Sequence, residues 1–174
     1  MSALTIRRLD AAAAEAAVPA LSAILRACIA GGASIGFMHD CTQAEAHAFW
    51  TEVAEAVAEG STALLVAEAE GAPVGTVQLG FATLPNQPHR ADVKKLMVDP
   101  PARRRGIGAA LMQAVEALAR AENRTLLCLD TATGGGAEGL YARLGWQRVG
   151  IIPDYALWPD GRFCDTTLFY KRLA

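Results

Sequence analysis

The sequence predicts a mixed α/β protein whose central sheet is mostly antiparallel, contains one parallel junction and is flanked by helices. Two observations carry this prediction. Short apolar segments recur along the chain, and two of them are joined by the turn-forming pair Glu70-Gly71. Further on, a strand at 90–98, a helical stripe and a strand at 126–129 follow one another, which is the order of a parallel pair joined by a crossover helix.

Length and composition favour one soluble domain over residues 1–174. The chain has 174 residues, of which 52% are hydrophobic and 20% charged, so it can bury a sizeable core. The formal charge of −2 argues against a general nucleic-acid surface. No apolar run approaches the roughly 18 residues of a membrane span, and the N-terminus lacks the order of a signal peptide. We therefore expect a cytoplasmic protein without nucleic-acid or membrane partners.

The cysteines and histidines lack the spacing of a metal site or a disulfide framework. In a cytoplasmic chain, scattered cysteines are better interpreted as buried thiols, and isolated histidines as surface or hydrogen-bonded side chains. We therefore expect no metal. The residues concerned are Cys28, Cys41, Cys128, Cys164, His39, His47 and His89.

The first elements are a short strand at 5–9 and an alanine-rich helical stretch capped by Asp10. Pro19 is predicted to interrupt this stretch, because a proline disfavours helical angles at the preceding Val18. A second helix then starts with Pro19 in its first turn and stops at residues 31–32, which are both glycine.

The loop at 31–40 mixes glycines with the apolar residues Ile35, Phe37 and Met38. Apolar residues in a loop between two helices either line a binding cleft or plug the core, and the sequence leaves both interpretations open. If the loop lines a cleft, the substrate-binding candidates are Ser34, Phe37 and Met38.

The next segments complete the first half of the sheet. Thr42 and Glu45 form a capping box for a helix that ends near Gly60. A fully apolar run at 63–67 predicts a central strand, and the alternation at 77–81 predicts a half-buried antiparallel one.

The stretch from 93 to 111 organises the chain. It predicts a strand ending at Val98, a bend at 99–106 and a helix that starts near Gly106. Such a bend leaves main-chain N–H groups unpaired, and the glycines at 106 and 108 let an anion approach them at the positive end of the helix dipole. The dinucleotide fingerprint is excluded by Leu111, and a Walker loop by the missing Gly-Lys-Ser/Thr. A phosphate site is therefore predicted, the alternative being a tight surface turn with solvated arginines.

The helix after the bend is amphipathic. One stripe is apolar, while Gln113, Glu116 and Arg120 are predicted to face water. After the strand at 126–129, the glycines at 134–136 are expected to start a short helix that reaches Leu144. Segments 146–151 and 163–170 then form a closing antiparallel pair. The apolar stripe consists of Ile107, Leu111, Val115 and Leu118.

At this point the chain resembles the GCN5-related N-acetyltransferases (GNAT). The resemblance rests on Arg103-x-x-Gly106-x-Gly108, on Lys-Leu-Met-Val-Asp-Pro at 95–100 and on Leu-Tyr-Ala-Arg-Leu-Gly-Trp at 140–146. It implies the GNAT fold, in which the sheet splays open between two parallel strands, with acetyl-CoA as cosubstrate. The resemblance implies pyrophosphate at the bend and pantetheine in the gap, paired with the first strand. The cofactor-binding residues would be Leu96, Met97, Val98, Arg103, Arg104, Arg105, Gly106, Ile107, Gly108 and Ala109.

The reaction implied is acetyl transfer from a thioester to an amine. An ammonium with a pKa of about 10 must first lose a proton, and Asp92 and Asp130 are the candidate bases, unless they only cap or form salt bridges. In this family a tyrosine at the place of Tyr141 protonates the departing thiolate; the alternative is a core tyrosine. Cys128 is a rival nucleophile on the face of Asp130.

A closer resemblance is to the tabtoxin-resistance acetyltransferases, which acetylate a small β-lactam amino acid. It rests on segments 31–38, 93–98, 129–131 and 159–162. That group has glutamate where this chain has Asp92. The function implied is acetylation of a small-molecule amine, and the family often forms homodimers. Other acceptors, namely a polyamine, an amino acid or a protein N-terminus, stay open, as does a non-catalytic acetyl-CoA sensor.

Overall fold

A computed structural model of the protein describes residues 4–174 and contains one seven-stranded sheet in the order β1-β2-β3-β4-β5-β7-β6. The strands are β1 (Thr5–Leu9), β2 (Thr62–Ala69), β3 (Ala72–Phe81), β4 (Arg90–Val98), β5 (Leu126–Ala132), β6 (Gln147–Leu157) and β7 (Phe163–Arg172). The helices are α1 (Ala11–Ala30), α2 (Gln43–Ala58), α3 (Ile107–Ala121) and α4 (Glu138–Arg143), with a 3₁₀ turn at Pro100–Ala102.

The sheet confirms the predicted fold class. Every neighbouring pair of strands is antiparallel except β4 and β5, which are parallel and are joined through α3. The parallel pair is short, because only Arg90 to Asp92 pair with Leu126 to Cys128. Beyond those residues the two strands separate, as the resemblance implied.

Helices cover the two faces of the sheet unequally. Alternating residues of β2 separate two apolar clusters: Leu65 packs with Leu111 of α3, whereas Leu64 packs with Leu25 of α1 and Trp50 of α2. We call the second of these the α1–α2 face. Its helices cover the first half of the sheet, so the face is open over β5, β7 and β6.

Several helix caps and turns lie where the sequence predicted them. Asp10 accepts a hydrogen bond from the N–H of Ala13 at the start of α1, and Thr42 and Glu45 form the predicted capping box of α2. Glu70 and Gly71 both have positive φ in the hairpin turn. The predicted strand at 90–98 is confirmed residue for residue.

The predicted break at Pro19 is wrong, since α1 is continuous from Ala11 to Ala30 with Pro19 inside it. Pro19 lies on the exposed side of the helix while Val18 is buried. Water can therefore solvate the carbonyl that proline leaves without a partner, and burial of the apolar stripe on both sides outweighs the local penalty.

The start of α4 was also predicted too early. The glycines at 134–136 form a turn, with Gly134 at a φ of 76°, and the helix begins at Glu138. The carboxylate of Glu138 accepts a hydrogen bond from the N–H of Gly134 at 2.6 Å, which holds that turn against the helix.

Helix α1 meets the length and hydropathy of a membrane span, with a mean hydropathy of 1.5, so the expectation that no run approaches this limit is wrong. In the fold it packs as a core helix. Leu21 and Leu25 are fully buried, and Val18 and Ile24 nearly so. An apolar core helix passes the same test of length and composition as a membrane span.

Glu116 was predicted to face water, but it is buried at 6% exposure. Its carboxylate accepts hydrogen bonds from Trp146 Nε1 at 2.9 Å and from Lys171 Nζ at 2.7 Å. Lys171 also donates to the carbonyl of Leu144. The helix period could not reveal this network, because its donors come from β7 and from the segment after α4.

We predict that Glu116→Ala lowers the free energy of unfolding by about 3 kcal/mol, because it leaves a half-buried ammonium and a buried indole N–H without their acceptor. Chemical denaturation measures this change. The matched control is Glu122→Ala, whose partner Arg8 is largely exposed and whose loss should cost less than about 1 kcal/mol. Equal losses in the two variants would contradict the assignment.

Candidate active site

The site is built around the place where β4 leaves β5. Opposite Val77 of β3, strand β4 carries two residues, Lys95 and Leu96, instead of one, and Lys95 has a φ of 52°. A bulge of this kind bends a strand and ends its pairing. The main chain of β4 after Asp92 therefore faces an opening rather than β5.

The side chain of Lys95 ties the bulge to the loop at 31–40. Its Nζ donates to the carbonyl of Ile35 at 2.5 Å and lies 5.7 and 5.4 Å from the ring centres of Phe37 and Phe49. Burial lowers the pKa of Lys95, and the charge of Asp130 acts in the opposite direction. The bulge and the loop thus form one packed unit.

The three substrate-binding candidates of this loop have different environments. Phe37 packs edge-on against Phe49, and Ile35 and Phe37 are both partly buried against the apolar cluster of the α1–α2 face. The Ser34 hydroxyl donates to the carbonyl of Leu157 at 2.9 Å. Met38 is 38% exposed. None of the three candidates lines either of the clefts described below.

The bend at 99–106 presents unpaired main-chain donors. Gly106, at a φ of 79°, precedes α3 without a side-chain cap, and Arg104 has a φ of 61°. Within residues 4–174, the first main-chain N–H after Arg103 that finds an acceptor is that of Ala110, bonded to the Gly106 carbonyl. The N–H groups of residues 104–109 are thus open at the positive end of the helix dipole, which suits a phosphate or pyrophosphate.

The three arginines of the bend do not act alike. Arg103 turns back toward β4 and α1, where its Nε donates to the carbonyl of Val98 at 3.1 Å and its Nη2 to Cys28 Sγ at 3.4 Å. Burial raises the pKa of the Cys28 thiol, and Arg103 partly offsets this. Arg104 and Arg105 are exposed and extend the positive potential of the bend.

The two predicted carboxylates lie on the α1–α2 face of the sheet, in a cleft of about 340 Å³. We call it the carboxylate cleft; it is lined by Asp92, Val93, Lys94, Cys128, Leu129, Asp130, Val149, Leu168, Phe169 and Tyr170. Asp92 forms an ion pair with Arg90 at 2.5 Å. Among residues 4–174, the hydrogen-bond donor to Asp130 is the neutral Thr166 hydroxyl, at 2.9 Å. Asp130 forms no ion pair with those residues, and Lys95 acts on it through its charge at longer range. Of the two carboxylates, Asp130 therefore has the less compensated charge.

Tyr141 lies on the opposite face, at the same level of β5. It is 5% exposed and packs against Trp146 and Phe169, with ring centres 6.1 and 5.6 Å away. Burial, with a contribution from the charge of Asp130, raises the pKa of Tyr141 to about 12. The phenol therefore keeps its proton at neutral and mildly alkaline pH.

Cys128 is half-buried in the carboxylate cleft, and none of the histidines lines that cleft. The histidine that commonly activates a thiol nucleophile is therefore missing from the lining of this cleft, which does not favour a covalent route. Over the described part of the chain, no three His, Cys, Asp or Glu side chains come together in a way that could hold a metal ion.

A second cleft, of about 220 Å³, lies between α2 and the sheet, and no sequence pattern predicted it. We call it the α2 cleft; it is lined by Phe49, Glu52, Val53, Ala56, Thr62, Gln78, Lys94 and Lys95. Gln78 alternates with apolar neighbours, and this alternation placed its side chain on the polar face of a half-buried strand. In the structure the side chain is instead buried, at 4% exposure.

Comparison with known proteins agrees with this geometry. The sequence profile of the acetyltransferase (GNAT) domain matches residues 60–148. A Staphylococcus aureus N-acetyltransferase superposes over 99% of this chain and 100% of its own, at 19% identity and a TM-score of 0.81. A Brucella melitensis ribosomal-protein-alanine N-acetyltransferase superposes over 97% of this chain and 99% of its own, at 24% identity and a TM-score of 0.79.

A third solved structure contains a ligand. It is a GNAT-superfamily phosphinothricin acetyltransferase from Sinorhizobium meliloti in complex with acetyl-CoA. The match covers 100% of this chain and 90% of that one, with 20% identity and a TM-score of 0.78. At these identities, the three structures establish a shared fold.

Proposed function

This chain belongs to the GNAT acetyltransferase family, and on that premise we propose that it transfers the acetyl group of acetyl-CoA directly to the amine of a small molecule. The observation that carries the proposal is the run of open N–H groups at 104–109, next to the separation of β4 from β5. The N–H groups can bind a diphosphate, and the unpaired edge of β4 can form hydrogen bonds with the amides of a pantetheine arm.

The residues present fit that cosubstrate, which supplies an activated acetyl thioester when bound. Gly108 keeps the first turn of α3 open, because a Cβ there would already lie 3.4 Å from Leu140 Cδ2 and 3.9 Å from Val98 Cγ2. Leu96, Met97 and Val98 would pair through their main chain with the pantetheine. We assign charge compensation to Arg104 and Arg105, and an anchoring role for the bend to Arg103, whose guanidinium already has two partners.

Asp130 is the proposed base. Free amines with a pKa of about 10 are protonated at neutral pH, so the acceptor must lose a proton before its nitrogen attacks. The carboxylate of Asp130 faces the carboxylate cleft and forms no ion pair in the described chain, so it can attract an ammonium and accept its proton. Asp92 adds negative potential, reduced by Arg90.

Tyr141 is the proposed donor to the sulfur. As the nitrogen–carbon bond forms and the carbon–sulfur bond breaks, the thiolate needs a proton or a hydrogen bond. The pKa of Tyr141, about 12, lies above the value of about 8.5 of a free thiol. Stabilisation through a hydrogen bond is therefore favoured over full proton transfer during bond cleavage.

For the acceptor we propose a small amino acid of the tabtoxinine-β-lactam type, so that acetylation would confer resistance to a toxin or antibiotic. The support is the resemblance of segments 31–38 and 159–162 to the tabtoxin-resistance enzymes, together with the shared fold of the phosphinothricin enzyme. We also propose a cytoplasmic location, since the four cysteines of the described chain are free thiols. A homodimer, and the expected lack of nucleic-acid, membrane and metal partners, stay predictions.

A panel of amines tests the proposal. Purified protein is incubated with acetyl-CoA and amino acids, polyamines or an N-terminal peptide, and released thiol is measured. We expect turnover with at least one small amine. Binding of acetyl-CoA without turnover of any amine would instead support a sensor, and no binding of acetyl-CoA would reject both.

Substitution of Asp130 should lower kcat far more than substitution of Asp92. We expect Asp130→Asn to lower kcat at pH 7 by about 100-fold, because the base is lost, while acetyl-CoA affinity changes less than about twofold. Asp92→Asn should lower kcat by no more than about 10-fold, since Arg90 already compensates that charge. Steady-state kinetics with the best amine of the panel measures both. Full activity in Asp130→Asn would remove Asp130 from the mechanism.

Gly108→Leu should weaken acetyl-CoA binding by at least about 10-fold, because the added side chain would fill the space beside Val98 and Leu140 and shield the open N–H groups. Titration calorimetry measures the affinity. Ala117→Leu, on the exposed side of the same helix, is the matched control and should bind like the unmodified protein. Unchanged affinity in Gly108→Leu would count against diphosphate binding at these N–H groups.

A further inference from the structure

The α2 cleft contains donors without acceptors. The ammonium of Lys94 forms no ion pair or hydrogen bond within residues 4–174. Gln78 is 4% exposed, and its Nε2 is buried without a hydrogen-bond partner. An unpaired buried donor is costly, so the Gln78 amide calls for an acceptor that the described chain does not supply, whereas the exposed Lys94 ammonium is solvated and open to an anionic ligand. Glu52 also lines the cleft, but it pairs with neither lysine.

The position of Lys94 is specific. Its side chain crosses β3 above Gly80, where a Cβ would lie 2.6 Å from Lys94 Cε and 2.7 Å from Nζ. Any larger residue at position 80 would displace the ammonium. Gly80 in turn pairs with Asp92, so Lys94 Nζ lies beside the start of the separation between β4 and β5.

The register of β4 and β5 relates this cation to the proposed base. Asp92 pairs with Cys128, so Lys94 and Asp130, each two residues further along, stand level with one another on the same face. Lys94 also lines both clefts. The Lys94 ammonium, over β3, and the Asp130 carboxylate, on β5, thus lie on the same face at either side of the opening, and their opposite charges complement a zwitterion.

We propose that the α2 cleft binds the carboxylate of an amino-acid acceptor, with the methylene groups of its side chain packed on an apolar wall. Lys94 Nζ and the Gln78 amide donate to the carboxylate, while the amine enters the carboxylate cleft at Asp130. Phe49, Val53 and Ala56 provide an apolar wall for the side chain. This inference rests on the proposed N-acetyltransferase function and specifies which class of acceptor the enzyme prefers.

The spacing agrees with such a ligand. Lys94 Nζ lies over β3, two strands from Asp130 on β5, and neighbouring strands are about 5 Å apart where they pair, more where they separate. An amine and a carboxylate about 3 Å apart, each with a charge-assisted hydrogen bond of about 2.8 Å, span about 9 Å, and the flexible Lys94 side chain can cover the remainder. A long diamine has no acceptor for Lys94 and Gln78, and a peptide carbonyl offers them an acceptor without a charge.

The test compares three acceptors that differ only at the acidic group: L-methionine, L-methioninamide and 3-(methylthio)propylamine. With the intact protein we expect kcat/KM for the acid to exceed that for the amide and the amine by about 10- to 100-fold, the loss typical of a missing charge-assisted partner. Binding of the same compounds to the coenzyme A complex, measured by calorimetry, gives a readout independent of turnover.

Two variants assign the preference to Lys94. Lys94→Gln removes the cation, and Gly80→Ala displaces it without changing the charge; both should reduce the preference for the acid to about twofold or less. The readout in both variants is the ratio of kcat/KM for L-methionine to that for 3-(methylthio)propylamine, which a uniform loss of activity does not change. Arg172→Gln, which removes an exposed cation at the far end of β7, is the matched control and should keep the full preference.

The outcomes separate this inference from the proposed function. Turnover of amines with no preference for the acid, or a Lys94→Gln variant that loses all three substrates equally, would overturn the carboxylate site and leave the N-acetyltransferase intact. Failure of every amine, including those of the wider panel, would overturn the proposed function itself. Selective loss of the acid in both variants supports the site.

Discussion

The site depends on one broken pairing: β4 and β5 share only three residue pairs before the bulge at Lys95 turns β4 away. Continued pairing would fill the gap with main-chain hydrogen bonds and leave no edge for a ligand. Because β4 then runs into the bend, the same departure aims the open N–H groups at 104–109 toward the gap. Two binding features thus follow from a single extra residue in one strand.

The bulge persists because its strained residue is also an anchor. Lys95 adopts a left-handed conformation that costs free energy, and its partly desolvated ammonium is stabilised by the Ile35 carbonyl and two aromatic rings. Gly36, at a φ of 94°, allows the close approach, since a Cβ there would lie 3.1 Å from Nζ. The loop at 31–40 therefore supports the geometry of the sheet, and its role as a cleft wall stays a prediction.

Sequence patterns predicted what depends on neighbours in the chain. The capping box, the hairpin at Glu70 and the bend were readable because local chemistry fixes them. Partners distant in sequence were not: periodicity placed Glu116 in water, although Trp146 and Lys171 bury it, and no pattern marked the approach of Lys94 to Gly80. Resemblance gave Arg103 a ligand role, whereas its contacts in the fold are with Cys28 and Val98.

Amide chemical shifts during titration with coenzyme A test whether the broken strand pair and the bend bind the carrier. In ¹H–¹⁵N spectra, we expect the largest changes on the N–H groups of residues 104–109 and on those of 96–98, where β4 has left β5. Changes centred elsewhere, with these two segments unaffected at saturation, would contradict the proposal that the broken strand pair and the bend together hold the carrier.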